Sequence, residues 1–185
     1  MSVALEAPPG LITAEEALHI QRPGPWELVR GKVVDRMPAG DEHGVVVANL
    51  TIYTGAFIKA HRLGKVLGAE TGVLMEQGPD TVRAPDFAFV TASRIPPGPR
   101  KGWVKVIPDL LAEVWSEWDR RPEVEAKIAA WLRVGVRIVW EVDPFRKVVV
   151  VHRPGVDPQT LAVGESLTGD DLLSGFSLPV ESVFE

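Results

Sequence analysis

The sequence predicts a mixed β-sheet flanked by helices, an α+β arrangement within the broad α/β class. Three observations carry that reading. Apolar residues recur at intervals of three and four between positions 43 and 62 and again between 122 and 135, the period of a helix with one buried face. Separate short runs such as "DFAFV", "DLLAEVWS", "RIVWEVD" and "KVVVVHR" are dense in β-branched and aromatic residues, as strands are. Arg30-Gly31 and Pro144-Phe145-Arg146 each sit between two such runs and read as hairpin turns.

Taken in order, Thr13 followed by Glu16 forms a capping box that opens a short helix over "TAEEALHI", and "RPGP" stops it. "WELVRGKVVDRMP" is a hairpin closed by Pro38. The helix over 43–62 buries Val46, Val47, Leu50, Tyr53, Phe57 and Ile58 and ends at Gly64. Three strands follow, "KVLGAETGVLM", "APDFAFV" and "DLLAEVWS", expected to be neighbours in one sheet. A loop rich in proline, glycine and basic residues separates the last two. Pro122, Glu123 and Glu125 have the chemistry of a first helical turn, and Val124, Ile128, Trp131 and Leu132 supply its buried stripe as far as Gly135. A hairpin comes next, and the tail "TGDDLLSGFSLPVESVFE" reads as a final loop and short helix.

The 185 residues suit one compact domain spanning 1–185, with 1–12 as a flexible arm. No cysteine is present, which removes disulfides, thiolate metal sites and thiol nucleophiles and leaves oxygen and imidazole as metal donors. No window approaches a membrane-spanning length and the N-terminus lacks the pattern of a leader, so a cytoplasmic protein with no membrane partner is expected. The net charge of -5 argues against broad attraction to nucleic acid, although a local basic groove can coexist with it. Arg94, Arg100, Lys101 and Lys105 form such a cluster, which reads equally well as a solvated loop.

Two carboxylates stand out. In "APDFAFV", Asp86 shares a strand face with Ala88 and Val90, while Phe87 and Phe89 take the other. In "LLAEVWS", Glu113 shares a face with Leu111 and Trp115. An unpaired carboxylate is costly among apolar neighbours, so each needs a partner. If the two strands pair, the acids converge and repel unless a hard cation joins them. Magnesium (or manganese) fits, since it takes oxygen ligands and needs only one or two carboxylates beside substrate phosphates. Lys127, three residues after Val124 and four before Trp131, lies at the edge of the second helix's stripe, from where its ammonium can orient a water.

The order "APD", "AEVWS", "EAK" and "WLRVGVRIVWEVDP", with "WELVRGKVV", "DEHG" and "SGFSLPV", resembles the Uma2 family of restriction-endonuclease-like proteins, within the PD-(D/E)XK nuclease superfamily. The resemblance covers residues 13–183. It implies a restriction-endonuclease-like core and a Mg²⁺-dependent endonuclease acting on DNA, with Asp86 and Glu113 as metal ligands and Lys127 orienting the attacking water. The superfamily's usual lysine lies two positions after the glutamate, where Trp115 stands; the Uma2-like pattern moves it to the following helix, which Lys127 matches. Glu27 matches a glutamate near the start of such proteins and would extend the site, and His43 matches a recurrent histidine. After Ser116 the chain reads "EWDRRPE" where similar proteins read Pro-Ser. Pairing of two chains as a homodimer would suit double-strand cleavage.

Residue by residue, plainer readings remain. Asp86 can cap a turn or pair with Arg83, Glu27 can be a strand residue facing water, His43 a helix-start residue, and Lys127 a snorkelling lysine. Trp103 and Trp118, in loops, are the tryptophans open to base stacking, and Asp170 and Asp171 read as solvated or capping. The alternative to an enzyme is a non-catalytic protein of the same fold that binds nucleic acid or a protein partner.

Overall fold

The computed structural model describes residues 10–185; most of the expected arm lies outside the described residues. Thr13 caps α1 (Ala14–Ala17): its side chain accepts from Glu16 N–H, and its own N–H donates to the Glu16 carboxylate at 2.7 Å. The hairpin of β1 (Trp26–Val29) and β2 (Lys32–Asp35) turns at Arg30-Gly31 with both residues at positive φ, the geometry that matches strand twist across a two-residue loop. Next come α2 (Asp41–Ala60), β3 (Gly64–Gly68), β4 (Val73–Glu76), β5 (Thr81–Arg83) and β6 (Phe87–Thr91). The second half holds β7 (Leu110–Val114), α3 (Arg121–Arg133), β8 (Ile138–Asp143), β9 (Val148–Arg153), β10 (Val156–Ala162), β11 (Ser166–Gly169) and β12 (Leu173–Pro179).

The central sheet has the order β10-β9-β8-β7-β6-β3 and is mixed: β7 and β8 run parallel, joined by α3, while its other pairs are antiparallel. A four-stranded sheet, β2-β1-β5-β4, stands beside it, and β11 pairs with β12. Among the described residues no helix is long and apolar enough to cross a membrane.

Alternation sorts the central sheet's residues onto two faces. Phe87, Phe89, Leu110, Ala112 and Trp140 face α2, whose Val46, Leu50 and Ile58 complete that core together with the β11–β12 hairpin. Ala88, Leu111 and Val139 face α3, which supplies Val124, Ile128 and Trp131. A smaller core joins α1 to the four-stranded sheet through Ala14, Ala17, Leu28 and Val82.

Two expectations require correction. "KVLGAETGVLM" is not one strand: it bends after Gly68, and its halves, β3 and β4, belong to different sheets. Only β3 neighbours β6. The tail does end in a short helix, a 3-10 one at Val180–Val183, but what precedes it is the β11–β12 hairpin rather than a loop; Leu167, Leu173, Phe176 and Leu178 bury against α2 and the sheet, which gives this glycine- and serine-rich segment its reason to extend.

Trp140 lies fully buried between Phe87 and Phe176, with near-parallel rings about 6 Å apart on either side. Trp140→Ala should therefore cost about 3–5 kcal/mol in urea unfolding, and a loss below about 1 kcal/mol would show that this stack does not bind the hairpin to the sheet.

Candidate active site

The β6–β7 register places Phe87 opposite Ala112 and Ala88 opposite Leu111. Asp86 stands one step before β6, and its N–H still donates to Ala112 O at 3.1 Å. Its carboxylate follows Ala88 onto the α3 side, where Glu113 follows Leu111. Both acids line one broad cleft of about 790 Å³ with Glu27, His43, Asp119 and Lys127. Four segments thus converge: β1 brings Glu27, the start of β6 Asp86, the end of β7 Glu113, and α3 Lys127.

Glu113 is buried, and both its oxygens have donors. Lys127 Nζ lies 2.7 Å from Oε2, and Trp131 Nε1 lies 2.6 Å from Oε1. Lys127 and Trp131 are four residues apart on one helix face, so the packing that buries Trp131 also delivers the ammonium. Lys127 reaches Glu27 Oε1 as well, at 3.5 Å.

Asp86 does not pair with Arg83. Its Oδ2 accepts the Val114 N–H at 2.8 Å, and His43 Nε2, from the first turn of α2, lies 3.3 Å from Oδ1. Arg83 turns instead to Glu27 at 3.1 Å. Glu27 does not face water: it is buried, held by Arg36 through Nε at 3.0 Å and a second guanidinium nitrogen, by Arg83, and by the Ala84 N–H.

These surroundings shift the charges. Burial pushes the Glu113 carboxyl up to about 7; Lys127 opposes the rise, while Asp86 and Glu27 add to it. Burial would also discharge Lys127, yet Glu113, Glu27 and Asp86 outweigh it and hold the ammonium's pKa above its ordinary value. For Glu27, burial is outweighed by Lys127, Arg83 and Arg36, and its pKa is lowered. Burial opposes charging of His43, but the hydrogen bond and charge of Asp86 prevail and its pKa is raised.

Several partners are absent from the sequence-derived site. Trp131 is one, although its spacing from Lys127 marks the shared face. Arg36 and Arg83 are others. Trp115, also lining the cleft, donates its indole N–H to Glu141 Oε1 at 2.9 Å; His152 Nε2 lies 2.7 Å from Oε2, and Arg121 sits over the Trp115 ring. Glu141 shows the same oddity as Glu113, an acid amid "VWEVD", and that signal would have found it.

Other residues are structural. Trp103 donates to Ala14 O at 2.6 Å and meets Trp26 edge-on, while Trp118 is exposed and away from the cleft lining. Arg94 leaves the basic cluster to pair with Asp109, and Asp170 and Asp171 pair with Arg153 and Arg137. The Ser116 loop is closed by Asp119, which accepts from both Ser116 N–H and its hydroxyl.

The Uma2 family, described as "Putative restriction endonuclease", matches residues 14–181. The chain belongs to the Uma2 family. The Uma2 match takes in all four convergent segments. The fold is similar to that of a solved structure from Anabaena variabilis, described as a putative nuclease belonging to DUF820, with a TM-score of 0.80 and 21% identity over 94% of this chain and 97% of that one. A comparison with curated proteins finds no match.

The raised Glu113 pKa sets a pH dependence. Between about 4.5, the ordinary value, and about 7, the folded protein retains a proton on Glu113 that the unfolded chain has released, so this group's contribution to stability is full below that window and is lost as pH rises through it. In EDTA, the melting temperature of Glu113→Gln should gain on wild type from pH 5 to pH 8. A difference that shrinks over that range would contradict the assigned direction.

Proposed function

We propose that the protein is a divalent-metal-dependent endonuclease that hydrolyses DNA phosphodiester bonds, with Asp86 and Glu113 holding Mg²⁺ (or Mn²⁺) and Lys127 orienting the attacking water. The observation that carries this reading is the convergence of two strand-end carboxylates in one cleft with an ammonium 2.7 Å from one of them. Membership of a restriction-endonuclease-like family supports the substrate class.

The donor set fits the metal. Each oxygen of Asp86 and Glu113 faces one nitrogen donor, and a carboxylate oxygen has two lone pairs, so capacity remains on both groups. Among the described residues no three acids or histidines are grouped as a metal cage. Two carboxylates with waters and a phosphate oxygen are what magnesium commonly accepts. Bound there, the ion would polarise a phosphoryl oxygen and acidify a coordinated water. It would also meet the negative charge that burial now disfavours on Glu113.

The remaining work belongs to the chain. Lys127, held charged by three acids, is a donor rather than a base. Its N–H can hold one lone pair of the incoming water and leave the other aimed at phosphorus, and it can share the negative charge that develops on the phosphoryl oxygens. We assign Glu27 to positioning: two guanidinium groups occupy its carboxylate, and its charge keeps Lys127 protonated and in place. His43 steadies the Oδ1 side of Asp86. In the hydrolysis, a bond forms from water oxygen to phosphorus as one phosphorus–oxygen ester bond breaks; the water's proton leaves to solvent and the departing oxygen takes one up from solvent.

The test is cleavage of plasmid and short DNA in Mg²⁺, Mn²⁺ or EDTA. Wild type should cut only with metal, and Asp86→Ala and Lys127→Ala should each lose at least about a hundredfold in rate, the scale of removing a positioned charge or donor from a transition state. Cutting that survives both substitutions would overturn the assignment. Salt-dependent DNA binding with no cutting under any metal would favour the non-catalytic reading.

A further inference from the structure

The proposed catalytic cleft is a poor place to hold a polyanion. Its lining carries six carboxylates, those of Glu27, Glu70, Asp86, Glu113, Asp119 and Glu123, against the cations Arg36 and Lys127, with His43 besides. The protein as a whole carries a net charge of -5. A nuclease built this way needs its affinity for phosphate from another surface.

A second cavity of about 460 Å³ supplies it. Lys65, Arg100, Lys101 and Lys105 line it with no acidic residue, and none of these cations is paired with a carboxylate among the described residues. Its floor is apolar, formed in part by Leu67, Val90 and Val104. It lies between β3, the edge strand of the central sheet, and the loop of residues 95–106.

That loop is more than a solvated basic run. Val104 is fixed from both sides, its N–H donating to Gly72 O at 2.8 Å and its carbonyl accepting from Leu74 N–H at 2.9 Å, and Trp103 is tied to Ala14 O. Gly72 has no side chain because the Trp103 ring packs directly over it; any Cβ there would collide with the ring. Lys101 and Lys105 are therefore presented from an anchored base.

The groove and the cleft adjoin. Trp103 lines both cavities, and Lys65 is registered opposite Val90, which lies on the same sheet face as Ala88 and Asp86. Val90 lies four residue steps along the strand from Asp86, about 13 Å at the usual rise.

We propose that the groove between β3 and the loop 95–106 binds the phosphate backbone of a DNA strand flanking the bond held in the acidic cleft. The lysines hold phosphates at the rim while sugars and bases meet the apolar floor. This rests on the endonuclease reading above, and its test is independent of cutting. Binding of a fluorescent 20-mer DNA is followed by anisotropy in EDTA for wild type, for Lys65→Ala/Lys101→Ala/Lys105→Ala, and for Lys32→Ala/Lys59→Ala/Lys147→Ala, which changes net charge equally at exposed sites outside both cavities. All six lysines are replaced on the protein surface, and matched melting temperatures confirm that both variants fold.

The groove variant should bind at least about tenfold more weakly, with a log–log salt slope shallower by roughly 2–3, near 0.9 for each phosphate that is no longer neutralised, while the control stays within about twofold of wild type. Equal weakening in both variants, or wild-type binding by the groove variant, would overturn the proposal. So would wild-type binding to phosphatidylserine vesicles or polyglutamate without binding to DNA. Failure of wild type to cleave while these binding differences hold would count against the catalytic reading alone.

Discussion

Glu113 is the constraint on which the site is built. A buried carboxylate is tolerated only with donors on its oxygens and positive charge nearby. Here both needs are met by a single helix face: Trp131 satisfies one oxygen and Lys127 the other. Core and site are therefore not separable. The stripe of Val124, Ile128 and Trp131 that docks α3 onto Ala88, Leu111 and Val139 also fixes where the ammonium ends. Breaking one partner from such a group leaves an uncompensated charge in the interior, so the helix position and the carboxylate enforce each other.

The sheet supplies the second acid. Antiparallel pairing of β6 with β7 turns Asp86 and Glu113 toward the same side at one end of both strands. The parallel step from β7 to β8 requires a crossover, and α3 is that crossover. Around this core, charge is segregated: acids crowd the cleft, and cations with no carboxylate partner among the described residues collect on β3 and the loop after β6. A chain of acidic total can thus present a basic groove beside an acidic cleft.

Much of this was legible in the sequence because it is periodic. A carboxylate inside an alternating apolar strand announces itself, which is why Asp86 and Glu113 could be placed on their faces, and the three-and-four spacing located both long helices and Lys127's edge position. What escaped depends on residues far apart in the chain. Glu27 sits beside Leu28 with both buried, so alternation gave no sign that Arg36, Arg83 and Lys127 gather on it. Arg94 looked like one more basic loop residue until Asp109 claimed it. The break at Gly68 was hidden because both halves of "KVLGAETGVLM" have strand character; only the choice of sheet separates them. In the tail, small residues and turns outnumber apolar ones, and extension there is imposed by burial against α2 rather than by local preference.

Whether two acids from neighbouring strands share one divalent ion beside a protonated lysine can be seen by anomalous diffraction from a crystal soaked in Mn²⁺. A single strong peak between the carboxylates of Asp86 and Glu113 is expected, absent from a soaked Asp86→Ala crystal. No peak at that position in the wild-type crystal, or a peak bound elsewhere without contact to either acid, would contradict it.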